Sequence, residues 1–290
     1  MLVEQTLFGE VDKVKKAIDR LKAFEPQEGY YLAFSGGKDS QCIYHLAKEA
    51  GVQFDAHYNI TGIDPPELVY FIRSNYPDVH LDMYEKSMWK LIVERVMPPT
   101  QMVRYCCQEL KERGGEGRVC VTGVRWAESV KRKNNRNAFE VITNTKKNKM
   151  LFNDNEDGRK LFENCMQKGK RVVNPIVDWE DEDVWKYLNG RNIPHCSLYN
   201  EGFHRLGCIG CPMASTQRTE REFLRWPKIK DAYIRAFQRM VEERTRRGLK
   251  TNDKWKTGLD VMEWWVYGKV RSEKPMEGQI HLWDEEEADV

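Results

Sequence analysis

The run Tyr30-Tyr31-Leu32-Ala33-Phe34, followed at once by Ser35-Gly36-Gly37-Lys38-Asp39-Ser40, constrains the fold more than any other stretch. The apolar run reads as a short buried strand, and DSQCIYHLAKEA (39–50) reads as a helix that Gly51 is placed to stop. A tight turn between them needs one glycine, so the second glycine and the polar flank point to a bound group. A strand, a turn and a helix N-terminus aim several N–H groups at one place, which makes an anion site. Glycine lets an oxyanion approach backbone that a Cβ would shield. Ser35 and Ser40 offer hydroxyls, Lys38 offers charge, and Asp39 offers a helix cap or an orienting carboxylate for a metal or base. The spacing is not that of the GxxxxGK[ST] loop.

The same alternation continues along the chain. Residues 10–24, 67–76 and 87–96 carry helical apolar spacing, whereas 52–60, 79–84 and 117–124 read as strands. Alternating strands and helices predict an α/β class with a twisted, mostly parallel sheet. Residues 145–170 read as an irregular or hairpin-bearing insertion, and 181–188 as a short helix with acids in its first turn. Residues 217–247 read as a long charged helical stretch broken at Pro227, and 259–267 as an aromatic helix. Two parts are therefore expected: a nucleotide-binding domain over 1–215 and a helical subdomain over 216–290. Trp255, Trp264, Trp265 and Tyr267 read as the core of that subdomain, with base stacking as the alternative.

Composition narrows the setting. Of 290 residues, 40% are hydrophobic and 32% charged, which fits a water-soluble globular chain. No apolar run reaches the roughly 20 residues of a membrane helix, and the opening MLVEQTLFGEVDKVKK lacks signal-peptide order. No membrane association and a cytoplasmic location are expected. Net charge is only +2, but residues 131–171 hold twelve Lys and Arg against five Asp and Glu, and 218–250 hold eleven against five. Residues 284–289 are almost wholly acidic. The basic segments suit either a solvated surface or a nucleic-acid partner.

Four further segments join SGGKDS in a resemblance. SGGKDS resembles the pyrophosphate loop of the adenine nucleotide α-hydrolase (PP-loop) superfamily. YNITGIDPPE (58–67) keeps Thr61, Gly62, Pro66 and Glu67 of a D-T-G-x-x-x-P-E pattern, with Asn59 and Ile60 replacing its usual start. TGVRWAES (122–129) resembles G-x-R-x-x-[EQ]-S, and NPIVDWEDEDVWKYL (174–188) with IPHCSLYNEGFHRLGCIGCP (193–212) resembles two later elements. All are motifs, in order, of the phosphoadenosine phosphosulfate reductase family, and they run from about residue 28 to 215. The resemblance implies a sheet with helices on both faces and an adenine nucleotide as partner: ATP, adenosine phosphosulfate or phosphoadenosine phosphosulfate. It implies that Ser35, Gly36, Gly37, Lys38, Asp39 and Ser40 cradle phosphates, joined by Thr61, Gly62, Gly123, Arg125 and Ser129. Lys38, Asp39 and Arg125 are the expected catalytic groups, Arg125 steadying charge at the α-phosphorus, and the resemblance implies Mg2+ on the leaving pyrophosphate. On this reading Arg125→Ala weakens nucleotide binding far more than Arg132→Ala.

Eight cysteines in a cytosolic-looking chain favour metal or thiol chemistry over disulfides. Cys208 and Cys211 form C-x-x-C, and Cys106 and Cys107 are adjacent. Together they supply four thiolates, which suits a [4Fe–4S] cluster or zinc. Adjacent cysteines strain a tetrahedral zinc site, whereas a cubane offers a wider surface, so a cluster is favoured. The resemblance points the same way, to the iron–sulfur branch of the family. A Cys208–Cys211 redox disulfide leaves the other pair idle. Lys111 and Arg104 flank the adjacent cysteines and suit a place between cluster and nucleotide. Cys42 and Cys120 read as core, Cys165 and Cys196 as exposed, and His195 and His204 as surface.

One family feature is missing. The reductases carry a nucleophilic cysteine in E-C-G-[IL]-H, and no cysteine follows Cys211 here. The favoured expectation is therefore an enzyme that binds an adenine nucleotide next to a cluster and activates substrate for sulfur chemistry. A sulfonucleotide reductase using an external thiol is the first alternative. A nucleotide-binding accessory module in nucleic-acid processing or defence is the second.

Overall fold

A computed structural model describes residues 2–6, 9–143, 149–152, 169–250 and 254–268. Cys165, part of the basic segment 131–171 and the acidic run 284–289 lie outside the described residues.

The strand before the glycine turn, β3 (Tyr30–Ala33), is almost fully buried. Before it, β1 (Val3–Thr6) and β2 (Gly9–Asp12) form an antiparallel ribbon. The helix expected from residue 10 therefore starts later, as α1 (Lys13–Ala23), where the Asp12 carboxylate accepts the N–H groups of Val14 and Lys15. After the turn comes α2 (Lys38–Ala50), with Cys42, Ile43, Leu46 and Ala47 buried along one stripe. Gly51 ends it in the left-handed region at φ 70°. Then follow β4 (Phe54–Ile60), α3 (Pro66–Asn75), β5 (His80–Met83) and α4 (Met88–Arg95). Next come α5 (Tyr105–Leu110), β6 (Val119–Val121), a 3-10 turn over 126–128 and α6 (Val130–Asn135).

Of the expected insertion over 145–170, only 149–152 and 169–170 are described, and both belong to strands. β7 (Phe139–Thr143) pairs antiparallel with β8 (Lys149–Phe152) and with β9 (Gly169–Val173). β9 then lies parallel to β6. Among the described residues the main sheet runs β5-β4-β3-β6-β9-β7-β8. Five neighbouring strands run parallel, and the last two pairings, β9 with β7 and β7 with β8, are antiparallel. This is the mostly parallel sheet that alternation predicted.

Strand order decides where a ligand fits. From β3 the chain proceeds outward through β4 to β5, then returns to place β6 on the other side of β3. The order reverses between β3 and β6, and the carboxyl ends of strands at such a switch point are where open α/β sheets commonly bind ligands. The loops leaving those ends are SGGKDS and TGVRWAES.

The chain divides into two compact units. One is Met1–Glu85 with Cys107–Cys208 and holds the sheet. The other is Lys86–Cys106 with the residues from Ile209 on. It holds α4 with α8 (Thr216–Arg225), α9 (Pro227–Arg246) and α10 (Gly258–Tyr267). A boundary near residue 215 leaves out the grouping of 86–106 with the C-terminal helices, because packing makes that grouping. Trp89 meets the ring of Tyr233 edge-on, and Trp265 donates to the Pro99 carbonyl at 2.6 Å. Trp265 is core, as expected, whereas Tyr267 is half exposed. Between sheet and tail, α7 (Asp181–Gly190) opens with three acids and is closed by a Glu180–Asp183 capping box. Among the described residues no helix is long and apolar enough to cross a membrane.

Candidate functional site

The glycine turn is shaped by packing on one side and left open on the other. Gly36 sits at φ 70°, and a Cβ there would lie 2.7 Å from Ile72 and 2.8 Å from Leu68, both on α3. A Cβ on Gly37 would meet only the Tyr199 hydroxyl at 3.4 Å and Ser35 Oγ at 3.5 Å. Gly37 is the N-cap of α2 and supplies no side-chain cap. The N–H of Lys38 donates to Tyr199 Oη at 2.8 Å. The N–H groups of Asp39 and Ser40 meet no acceptor among the described residues. Unpaired first-turn amides at the positive end of a helix dipole are donors waiting for an anion.

The serines mostly hold the turn. Ser35 Oγ donates to Ser40 Oγ at 3.1 Å, and Ser40 Oγ donates to the Gly37 carbonyl at 2.9 Å. Gly123, beyond β6, has no room for a side chain, because a Cβ would meet the Asp39 carbonyl carbon and oxygen at 3.0 Å. The two switch-point loops therefore touch through backbone.

Lys38, Asp39, Arg125 and Asp181 form one charged cluster. Arg125, only 1% exposed, donates from Nε to Asp39 at 2.6 Å, from one terminal nitrogen to the Trp179 carbonyl at 3.1 Å and from the other to Asp181. Lys38, also buried, donates to Asp181 at 3.1 Å and lies 3.4 Å from Asp39. Burial acts to raise the Asp181 pKa, but hydrogen bonds from Lys38 and Arg125 hold it below the ordinary carboxylate value. Burial acts to lower the Arg125 pKa, and Asp39 and Asp181 hold it above the usual value instead. Arg125 is thus a strut between α2 and the start of α7, with its three donor directions committed to protein.

More cationic charge stands nearby. Burial and the guanidiniums of Arg205 and Arg136 push Arg132 down to about 10, with Asp39 opposing. Arg132 pairs with Glu128 and Arg136 with Glu140, and both arginines are half-buried, whereas Lys131 and Lys133 are exposed. Ser129 caps α6 by accepting the Arg132 N–H at 3.2 Å. Nothing in the sequence marked Asp181, Tyr199 or Arg205 for this site. Asp181 reads only as one of the acids in the first turn of a helix, and Tyr199 lies in a motif whose spacing does not say which loop it faces.

Thr61 and Gly62 follow β4. Thr61 is buried, and its hydroxyl and N–H both donate to Asp64, at 2.9 and 2.7 Å. Its Oγ1 lies 3.6 Å from Cys208 Sγ. Burial pushes the Cys208 thiol up, and Lys111, hydrogen-bonded to it, opposes that shift. Cys107 and Cys208 belong to the first unit, Cys106 and Cys211 to the second. Among the described residues no three His, Cys, Asp or Glu side chains are gathered as a metal site. The four thiols match a cluster or zinc in number and chemistry. Asp39 and Asp181 are committed to cations of the protein rather than grouped for Mg2+.

The remaining cysteines and histidines are placed plainly. Cys42 and Cys120 are core, as expected. Cys196, expected to be exposed, is fully buried, because the 3-10 turn over 197–199 folds its segment inward. His195 stacks edge-on with Trp185 and bonds Asn200, whereas His204 is exposed.

The sequence matches the phosphoadenosine phosphosulfate reductase domain family over residues 29–214. It is 26% identical over 226 residues to an uncharacterized protein of Methanocaldococcus jannaschii, MJ0973, covering 74% of this chain and 47% of that one. The chain spans about half the length of the curated relatives it matches most broadly. It is 47% identical over 44 residues to the adenosine 5'-phosphosulfate reductase of Neisseria meningitidis, covering 15% of this chain and 18% of that one. Among solved structures, the phosphoadenylyl-sulfate reductase of Candida auris aligns with a TM-score of 0.45 and 13% identity, covering 68% of this chain and 88% of that one.

Proposed function

The chain belongs to the phosphoadenosine phosphosulfate reductase domain family, and from that premise we propose that it binds an adenine nucleotide with its phosphates at the SGGKDS turn. The observation that carries this reading is the N-terminus of α2, at the switch point of the sheet. It has no side-chain cap, its Asp39 and Ser40 amides lack acceptors, and Lys38 stands beside them. Arg132 on α6 and Arg205 add positive charge nearby.

The proposed reaction is nucleotide activation for sulfur chemistry. An acceptor oxygen attacks the α-phosphorus of ATP, the bond to the bridging oxygen breaks, and pyrophosphate leaves with that electron pair. The amides of Asp39 and Ser40 would hold the departing oxyanion, and Lys38 would neutralise it. Arg125 keeps Asp39 and Lys38 in register rather than meeting the phosphate itself. Cys106, Cys107, Cys208 and Cys211 are the residues that would hold a [4Fe–4S] cluster, which would supply iron–sulfur chemistry when bound.

A second reading is sulfonucleotide reduction with an external thiol. The identity of 47% over 44 residues to an adenosine 5'-phosphosulfate reductase favours it. One experiment separates the two. Protein purified without oxygen is incubated with ATP and candidate acceptors, or with a sulfonucleotide and a dithiol. Pyrophosphate and AMP support activation; sulfite supports reduction. Failure to bind any adenine nucleotide refutes both.

A further inference from the structure

In this structure the donors of the glycine turn are partly satisfied by the protein's own oxygens. Tyr199 Oη takes the N–H of Lys38 at 2.8 Å, in front of Gly37, where a Cβ would come within 3.4 Å of that oxygen. Asp181 Oδ1 takes the Lys38 ammonium at 3.1 Å and one arm of Arg125. The two oxygens come from one stretch of chain: Asp181 is the first residue of α7, and Tyr199 ends the 3-10 turn that follows it. The burial of the partners is uneven. Lys38 and Arg125 are 7% and 1% exposed, while the Asp181 side chain is 70% exposed. An exposed carboxylate on buried cations can leave for water far more readily than the cations can.

We propose that Asp181 and Tyr199 are specificity-determining residues that stand in for a ligand oxyanion and must be displaced from the turn when a phosphate group arrives. The inference rests on the reading that the turn binds nucleotide phosphates. A group with a single negative charge gains little by exchanging places with Asp181, because one carboxylate already meets Lys38. A pyrophosphate-type group brings more charge and several oxygens, so it can take the Lys38 ammonium and the amide together. The exchange thus selects polyanionic phosphoryl groups over simple carboxylates or monoanions. Asp39 takes no part in the exchange; its bond to Arg125 Nε keeps the helix end fixed while Asp181 swings out.

The test measures inorganic pyrophosphate binding calorimetrically in metal-free buffer, so that loss of a cation ligand cannot enter. Asp181→Asn keeps the shape and removes the competing charge. Tyr199→Phe keeps the ring and removes the competing oxygen. Each is expected to tighten pyrophosphate binding, Asp181→Asn on the order of tenfold, and Asp181→Glu is expected to restore wild-type affinity. The thermal midpoint of unliganded Asp181→Asn is expected to fall, because Lys38 and Arg125 lose a partner. A tighter site in a less stable protein is the signature of displacement, since a merely structural role lowers both. If wild type binds pyrophosphate and both variants bind it equally or more weakly, the proposal is overturned while the nucleotide-binding reading stands. If neither wild type nor variants bind pyrophosphate or an adenine nucleotide, both are overturned.

Discussion

Replacing Arg125 by methionine asks whether its guanidinium is a strut or a ligand. Methionine keeps much of the stem's volume and removes the charge and all three hydrogen bonds. Deleting one partner of a buried ion pair costs about 3–5 kcal/mol. Here the cost is shared unequally. The Asp181 side chain is 70% exposed and regains water, so its part is about 0–1 kcal/mol. The Asp39 side chain is only 24% exposed, and the Trp179 carbonyl loses its donor at about 1–3 kcal/mol. The lower end of the buried-pair range, about 3 kcal/mol, is therefore expected. In urea unfolding that is a midpoint shift on the order of 1 M or more, given slopes of about 1–3 kcal/mol per molar. Pyrophosphate binding should fall as well, because Asp39 and Lys38 lose their frame. Arg132→Ala is expected to show the other split. The Arg132 and Glu128 side chains are 30% and 17% exposed, so the stability loss should fall between about 1 kcal/mol for a surface pair and about 3 kcal/mol for a buried one while binding weakens. If Arg125→Met binds poorly yet unfolds within about 0.5 kcal/mol of wild type, Arg125 is a ligand group and the strut is refuted.

Gly36→Ala combines a left-handed backbone at φ 70° with a Cβ 2.7 Å from Ile72. Strain of about 1–2 kcal/mol and overpacking of about 1–3 kcal/mol predict a large fall in urea stability, and a change within error refutes the packing. Asp55 is held down to about 2, first by hydrogen bonds from Arg118, against a usual 3.8. A depressed carboxylate stabilises the fold above its unfolded value, so stability should fall as pH drops from about 3.8 toward 2. Arg118→Ala should flatten unfolding profiles across that window, and an unchanged slope refutes the assignment. Anaerobically purified protein should carry about four iron and four acid-labile sulfide per chain, both reduced by Cys208→Ser. About one zinc and no iron would assign the thiols to zinc instead.

The sheet could be read from the sequence because its signals are local. Buried strands such as Tyr30–Ala33 are short apolar runs, and α2 carries its own stripe and its own stop at Gly51. The uncapped helix start at SGGKDS was readable for the same reason: amides at a helix start are set by neighbours in sequence. The pairing of β1 with β2 and of β7 with β8 and β9 was not, because it joins segments whose residues alone favour no one partner.

The sequence by itself determined the strand–turn–helix unit, the family motifs and the presence of four paired thiols. Only the tertiary structure decided what faces the turn. Arg125 reads as a phosphate ligand from its motif, yet packing buries it against Asp39 and Asp181, some 86 and 56 residues away along the chain. Tyr199 reaches the Lys38 amide across 161 residues. Charge and hydrogen bonding act over a few ångströms of space, and spacing along the chain does not say which distant side chains the fold brings within that range.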